Sequence, residues 1–121
     1  MVRIGSLDRR LSFQRRARDT DEQVIVDEFG HPSGEWEEIT EVWGNVRPIG
    51  TREALQAKAL AATLTHTIAV RYRALLDQPL EASNWRILCG TRIWNILGVR
   101  DLEDRRRFLI FDVEEGTVDG N

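Results

Sequence analysis

The side chains that could serve as nucleophile, base or metal ligand are few and scattered. The two histidines, His31 and His66, fall in a predicted turn and on one face of a predicted strand, and no serine or cysteine stands beside either as a nucleophile. Cys89 is the only cysteine, so no disulfide can form within the chain and no multi-cysteine metal site is available. We interpret His66 as a packed core histidine and Cys89 as a small buried apolar residue.

The acidic run Asp19-Thr20-Asp21-Glu22 is the one stretch rich in oxygen ligands. It lacks the glycine and the terminal glutamate of a calcium-binding loop, so we interpret it as a solvated loop. Motifs for a nucleophile elbow, a phosphate-binding loop, a dinucleotide site or a zinc protease are absent from the sequence. We therefore predict that the chain is not an enzyme and needs no cofactor or metal.

Arginine dominates the basic residues. Of 17 basic side chains only Lys58 is lysine, and the net charge over 121 residues is −3. The rigid guanidinium fork pairs with carboxylates through two hydrogen bonds, which suits protein contacts, although a GC-rich coding sequence would give the same bias. A domain that binds nucleic acid tightly usually has a pI above about 9. The acidic composition of this chain does not favour that class of protein.

A different class of function remains open at this stage. Surface tryptophans beside arginines can stack bases and hold single-stranded nucleic acid. The alternative function is therefore a small-barrel nucleic-acid-binding protein, and the competing interpretation of each tryptophan is that it belongs to the core. The residues concerned are Trp36, Trp43, Trp85 and Trp94, with Arg71, Arg73 and Arg86.

Alternation of apolar and polar residues indicates short strands throughout. Leu11 and Phe13 share one face of the first strand, and Ile68 and Val70 share the inward face of another. Gly90-Thr91 joins two strands as a type II′ turn, and residues 23–40 form either a hairpin or a long ordered loop. The other predicted strands cover residues 10–14, 41–47, 65–73, 85–89, 92–97 and 107–113.

About six short strands separated by turn formers predict an all-β fold, a small antiparallel barrel or sandwich. We expect a single domain over residues 1–121, with an N-terminal arm (1–9), a barrel (10–114) and a flexible tail (115–121). An alanine-rich stretch predicts one short helical insert at about residues 51–62. No secretion signal or membrane-spanning stretch is visible, so we expect an intracellular protein that does not contact membranes.

Three segments carry a resemblance to a known family. They are the start, Arg3-Ile-Gly-Ser-Leu-Asp-Arg-Arg-Leu-Ser-Phe-Gln14; the run from Glu35 through Glu41-Val-Trp-Gly-Asn-Val-Arg-Pro-Ile-Gly50 to Arg52-Glu53; and Trp85-Arg-Ile-Leu-Cys-Gly90 with Ile93-Trp-Asn-Ile96. Their order and spacing over residues 3–115 resemble the tailed-bacteriophage head-tail joining proteins, also called head-closure, stopper or head-tail adaptor proteins.

The resemblance implies a structural virion protein that forms a cyclic homo-oligomeric ring between head and tail. Its implied partners are copies of itself, a portal or adaptor ring protein, a tail completion or tail tube protein, and double-stranded DNA that passes without sequence-specific binding. The implied location is the virion neck, with host cytoplasm during assembly.

Three groups of residues are candidates for these contacts, the first through the resemblance and the other two from their own sequence. The segment that follows Val46-Arg47-Pro48-Ile49 would close the channel after packaging or clasp a neighbouring subunit; its candidates are Gly50, Thr51, Arg52, Glu53, Leu55 and Lys58. The N-terminal arm would dock on a neighbouring ring, with candidates Arg3, Ile4, Leu7, Arg9 and Arg10. The mixed-charge loop is either a solvated loop or a subunit contact, with candidates Asp101, Glu103, Asp104, Arg105 and Arg106.

Overall fold

A computed structural model describes residues 6–18, 21–23, 25–31, 33–50 and 64–116. The chain folds into a closed antiparallel barrel in the strand order β1-β2-β3-β6-β5-β4. This confirms the predicted all-β class and selects the barrel over the sandwich. The strands are β1 (Arg9–Arg16), β2 (Trp36–Pro48), β3 (His66–Arg71), β4 (Arg86–Cys89), β5 (Arg92–Asp101) and β6 (Phe108–Glu115).

Helix in the described residues is confined to three single 3-10 turns, at Ala74–Leu76, Ala82–Asn84 and Leu102–Asp104. The predicted helical insert at 51–62 lies outside the described residues, as does the part of the predicted tail after residue 116. Residues Glu114 and Glu115, at the junction with that tail, belong to β6.

Inward-facing residues from all six strands fill the barrel. Phe13 of β1 and Phe111 of β6 are both fully buried, with ring centroids 4.9 Å apart and planes tilted by 58°. The described residues include no buried polar or charged residue, so apolar packing is the main source of stability there. The fully buried large side chains are Leu11, Phe13, Ile68, Val70, Leu76, Ile87, Trp94, Leu109, Phe111 and Val113.

The strand boundaries differ from the sequence prediction mainly around β2, and β5 runs past its predicted end at residue 97 to Asp101. Residues 36–40 and 41–47 form one continuous strand, β2, which ends at Pro48 because proline has no N–H to donate. The described residues between 21 and 35 include no strand, and two backbone hydrogen bonds, from Asp27 N to His31 O and from Ser33 N to Ile25 O, join the two sides of a turn there. The turn at Gly90 has φ +61° between the paired residues Cys89 and Arg92, which agrees with the predicted hairpin.

Candidate interaction surface

The candidate residues named from the sequence lie in different places. Thr51, Arg52, Glu53, Leu55 and Lys58 are outside the described residues, and Gly50 is the exposed residue that precedes them. Arg3 and Ile4 of the predicted arm are also outside these ranges.

The remaining arm candidates lie on the barrel. Arg9 and Arg10 begin β1, where they pair with Gly44 and Trp43. The backbone oxygen of Ser6 accepts a hydrogen bond from Asn45 Nδ2 at 3.1 Å, which ties the chain before β1 to β2. These placements put part of the predicted arm against the barrel wall.

The loop between β5 and β6 has an unusual backbone. Glu103, Asp104 and Arg106 have positive φ values of 57°, 53° and 54°, a region that non-glycine residues rarely occupy. Both carboxylate oxygens of Asp101 accept hydrogen bonds from the Arg106 N–H at 3.0 Å, which holds this conformation. Arg105 forms a long ion pair with Glu103 at 3.8 Å, and the loop is mostly exposed.

A groove of about 700 Å³ opens on the outer surface, over β1, β2, β3 and the start of β6. Three arginines line it, Arg10, Arg71 and Arg73, together with one carboxylate, Glu41. Its apolar lining consists of Leu7, Val42, Trp43 and Phe108. We call this feature the arginine–tryptophan groove. Its volume lies within the roughly 300–1,000 Å³ of ordinary binding pockets.

Cross-strand register builds this groove. Arg10 pairs with Trp43 across β1 and β2, and its guanidinium lies 5.3 Å from the indole centroid. Arg71 pairs with Phe108 across β3 and β6 in the same way, with a guanidinium to ring distance of 5.9 Å. Trp43 remains 53% exposed, which is high for the largest apolar side chain.

The charges in the groove are only partly neutralised. Arg10 forms an ion pair with Glu41, and Arg73 donates to Thr40 Oγ1 at 2.7 Å. Across the described part of the chain, no carboxylate pairs with Arg71 or Arg73. The groove therefore carries three positive charges against one negative charge.

The four tryptophans lie in different environments. Trp85 and Trp94 are core residues, with 5% and 0% exposure. The ring of Trp36 is covered by Arg16 at 4.5 Å and Arg86 at 4.2 Å, so guanidinium groups occupy the position where a base would stack. Burial together with the proximity of Arg16 lowers the pKa of Arg86. Of the four tryptophans considered for base stacking, Trp85 and Trp94 are therefore too buried to stack on a base.

Some arginines form ion pairs between neighbouring strands of the barrel. Arg15 bonds Glu37 across β1 and β2 at 2.9 Å, and Arg100 bonds Asp112 across β5 and β6 at 3.2 Å. Burial raises the pKa of Asp112, and Arg100 partly opposes that rise. The arginine bias of the sequence therefore serves strand pairing as well as any contact between subunits.

His66 belongs to a polar cluster beside the core. Its Nδ1 lies 2.8 Å from Thr65 Oγ1 and its Nε2 lies 3.3 Å from the Arg92 guanidinium, which in turn makes two hydrogen bonds to Glu115 at 3.0 and 3.1 Å. Arg92 can only donate, so Nε2 accepts and Nδ1 carries the proton. The neighbouring Trp94 ring lies 6.0 Å away, edge to face.

This arrangement predicts a pH dependence of stability. Burial, with a contribution from Arg92, lowers the pKa of His66 from its ordinary value of 6.5, while Glu115 opposes the shift. The unfolded chain then binds a proton before the folded chain does, so this residue makes stability fall as pH drops below 6.5 toward the lowered value. The urea midpoint of the original chain should fall between about pH 7.5 and pH 5.5, and we expect His66→Gln to make this fall smaller.

His31→Gln is the matched control for that prediction. The His31 side chain is 78% exposed, so its replacement should leave the pH dependence close to that of the unmodified protein. Equal pH profiles for the original chain and His66→Gln would contradict the assigned role of His66.

The described residues contain neither a cluster of metal ligands nor a membrane-crossing helix. Within the described ranges, no three or more His, Cys, Asp or Glu side chains are grouped to hold a metal ion. No helix in the same ranges has the length and apolar character needed to cross a bilayer. Cys89 is half-buried and packs against the core, which is close to its predicted environment.

The groove contains residues that the sequence reasoning did not select. Glu41, Val42 and Phe108 were not singled out, and neither was Phe29, which is 76% exposed in the loop before β2. A signal for Phe29 exists in the sequence, because an aromatic residue among Asp, Gly, His, Pro and Ser cannot be part of a strand core. The groove residues gave no comparable signal, since they come from four strands.

The filled, closed barrel with a charged aromatic groove on its outer surface belongs to the class of small antiparallel β-barrel proteins. The family model for the phage head completion protein matches residues 2–116. The chain belongs to the phage head completion protein family, and it is a structural component of the phage particle.

Comparison with solved structures agrees with this fold. The chain is similar to the solution structure of protein SF1141 from Shigella flexneri 2a, with 28% identity, a TM-score of 0.65, and coverage of 95% of this chain and 97% of that chain. It is also similar in fold to a chain of the virion of a native gene transfer agent particle, with 23% identity, a TM-score of 0.57, and coverage of 97% and 99%. No curated protein sequence matches the chain.

Proposed function

We propose that this protein forms a closed ring of identical copies at the particle neck, between the head's portal or adaptor ring and the tail, around the channel through which DNA passes. Membership of the phage head completion family supports a role at the head, and a structural neighbour from a gene transfer agent virion supports a place in an assembled particle. The ring arrangement itself rests on the physical argument that follows.

The filled interior of the barrel is the observation that carries the proposal. Core side chains from all six strands occupy the space inside the sheet, and a compact chain of 121 residues has a radius of gyration of about 14 Å. A single copy therefore offers no passage for a duplex. A channel can only lie between copies, and copies that surround an axis need head-to-tail interfaces that close.

The charge of the chain fits a conduit. Each phosphate neutralised by a basic side chain adds close to one unit to the salt dependence of DNA binding, so a strongly basic lining would hold DNA that must pass. A net charge of −3 avoids that outcome. The retention of packaged DNA by residues 51–62 stays a prediction from the sequence, because those residues lie outside the described ranges.

Particles that lack this chain provide the test. We expect their filled heads to lose DNA to nuclease or to remain tailless, and purified protein added back should restore nuclease protection and tail attachment. Electron microscopy of the restored particles should show cyclic density at the neck. Heads that keep DNA and join tails without the protein would contradict the proposal, as would restored particles without a ring.

A salt titration separates the proposed ring from the nucleic-acid-binding alternative. We expect the purified chain to bind single-stranded and duplex DNA weakly at low salt. Tight binding that collapses between about 50 and 200 mM salt would instead support the alternative.

A further inference from the structure

The loop between β1 and β2 presents an ordered turn with an exposed aromatic tip, which we call the Phe29 turn (residues 27–31). Asp27 Oδ1 accepts hydrogen bonds from the backbone N–H groups of Phe29 and His31, both at 2.9 Å. Asp27 N donates to His31 O at 2.9 Å, and Gly30 has φ +81°, a conformation that glycine adopts readily. The backbone is thus fixed while the Phe29 side chain stays 76% exposed.

The chemistry of the Phe29 turn is the complement of the arginine–tryptophan groove. The turn carries one apolar ring with Asp27 and Glu28 directly before it, all exposed. The groove offers a half-exposed indole and the Phe108 ring, with Arg71 and Arg73 unpaired to any carboxylate in the described ranges. An aromatic anchor flanked by acids matches an aromatic pocket flanked by arginines, and guanidinium–carboxylate pairs add orientation.

No residue of the Phe29 turn lines the groove of its own copy. The groove centres on the pair Arg10 and Trp43, whereas the loop that bears Phe29 leaves β1 after the pair Arg16 and Trp36. Six residues of strand separate these pairs, a distance of about 20 Å. Two separate and complementary patches on one chain are the arrangement that a head-to-tail interface requires.

We propose that the Phe29 turn of one copy inserts into the arginine–tryptophan groove of a second copy of this chain. The inference rests on the proposed ring and specifies the contact that joins its neighbours.

Sedimentation of the full-length chain at low salt, up to about 1 mM, tests this contact. We expect concentration-dependent self-association that weakens as salt rises, because the contact includes exposed charges. Phe29→Ala and Arg71→Glu should each weaken association by about tenfold or more while leaving the far-ultraviolet circular dichroism unchanged. Leu80→Ala is the matched control, since Leu80 is 92% exposed and lies outside both patches.

A mixture of the two defective variants gives the most specific result. Phe29→Ala retains an intact groove and Arg71→Glu retains an intact turn, so one functional contact can form between them and none can form on the remaining faces. We expect the mixture to yield one-to-one dimers that grow no further, although each variant alone stays monomeric.

Several results would overturn the inference. The first two are an original chain that stays monomeric at the highest concentration, and variants that associate as strongly as the original chain. A third is association that is lost in Arg105→Glu but kept in Phe29→Ala. A fourth is a change in Trp43 fluorescence on addition of duplex DNA but not on self-association. Electron microscopy of particle necks separates this inference from the proposed ring. An unchanged neck ring in Phe29→Ala particles would refute the docking contact alone. Head-to-tail pairing in solution without a ring at the neck would refute the ring alone.

Discussion

Phe111→Ala is expected to remove a large part of the stability of the barrel. Phe111 is fully buried and its ring lies 4.9 Å from that of Phe13, so the substitution loses an aromatic contact and leaves a cavity in a core made from all six strands. Truncation of a buried phenylalanine to alanine costs about 3–5 kcal/mol, against a total of about 5–15 kcal/mol for a domain. The melting temperature should fall by roughly 12–20 °C, because each kcal/mol of lost stability lowers it by about 4 °C.

Phe29→Ala is the matched control, because the same side chain is removed from a position that is 76% exposed. Its effect on the free energy of unfolding should stay within the roughly 0.5 kcal/mol that is usual for surface changes. Phe111→Leu should fall between the two, since leucine refills part of the cavity. Equal losses for Phe111→Ala and Phe29→Ala would contradict the core described for this barrel.

The core was predictable because its signal is local. Alternation placed Leu11 and Phe13 on one face of their strand, and both are fully buried. The same rule placed Ile68 and Val70 inward, with the same result. Alternate residues of a strand point to opposite faces whatever the rest of the chain does, so a few neighbouring residues suffice to identify the buried side.

The groove was not predictable because it depends on which residues oppose each other across strands. Arg10 meets Trp43 and Arg71 meets Phe108 only through the register of β1 with β2 and of β3 with β6. A shift of one residue in either register would turn one member of each pair to the other face. The bulge opposite Phe13 and Gln14, where Ile39 of β2 is the extra residue, shows that such shifts occur between β1 and β2 themselves.

Composition also misled at the start of β2. Residues 28–34 are rich in turn formers, which favoured a break before residue 41, yet β2 runs without interruption from Trp36 to Pro48. Cross-strand bonds explain this continuity, because Glu37 and Glu38 accept from Arg15 and Ser12 of β1 at 2.9 and 2.8 Å. Such partners, about 20 residues away, are invisible to any local pattern.

Gly44→Ala is expected to destabilise the barrel, although alanine replaces glycine without difficulty in many strands. A Cβ at residue 44 would lie 2.4 Å from Leu11 Cδ1 and 3.0 Å from both Ala69 O and Val70 Cγ1. The Leu11 side chain could rotate away, but the Ala69 carbonyl belongs to the neighbouring strand and cannot move without disturbing its pairing. Overpacking of this kind costs about 1–3 kcal/mol, measured as a lower urea midpoint.

Gly98→Ala is the control, and it should change stability in the opposite direction or not at all. A Cβ at Gly98 of β5 would meet no atom within 4 Å, so alanine there should mainly reduce the freedom of the unfolded chain, a gain of up to about 1 kcal/mol. Alternation alone places Gly44 on the same face as Val42 and Val46, where a larger residue would be expected. The approach of Leu11 from β1 and of Ala69 and Val70 from β3 explains the glycine, so equal effects at residues 44 and 98 would mean that these strands are not packed against β2 as closely as described.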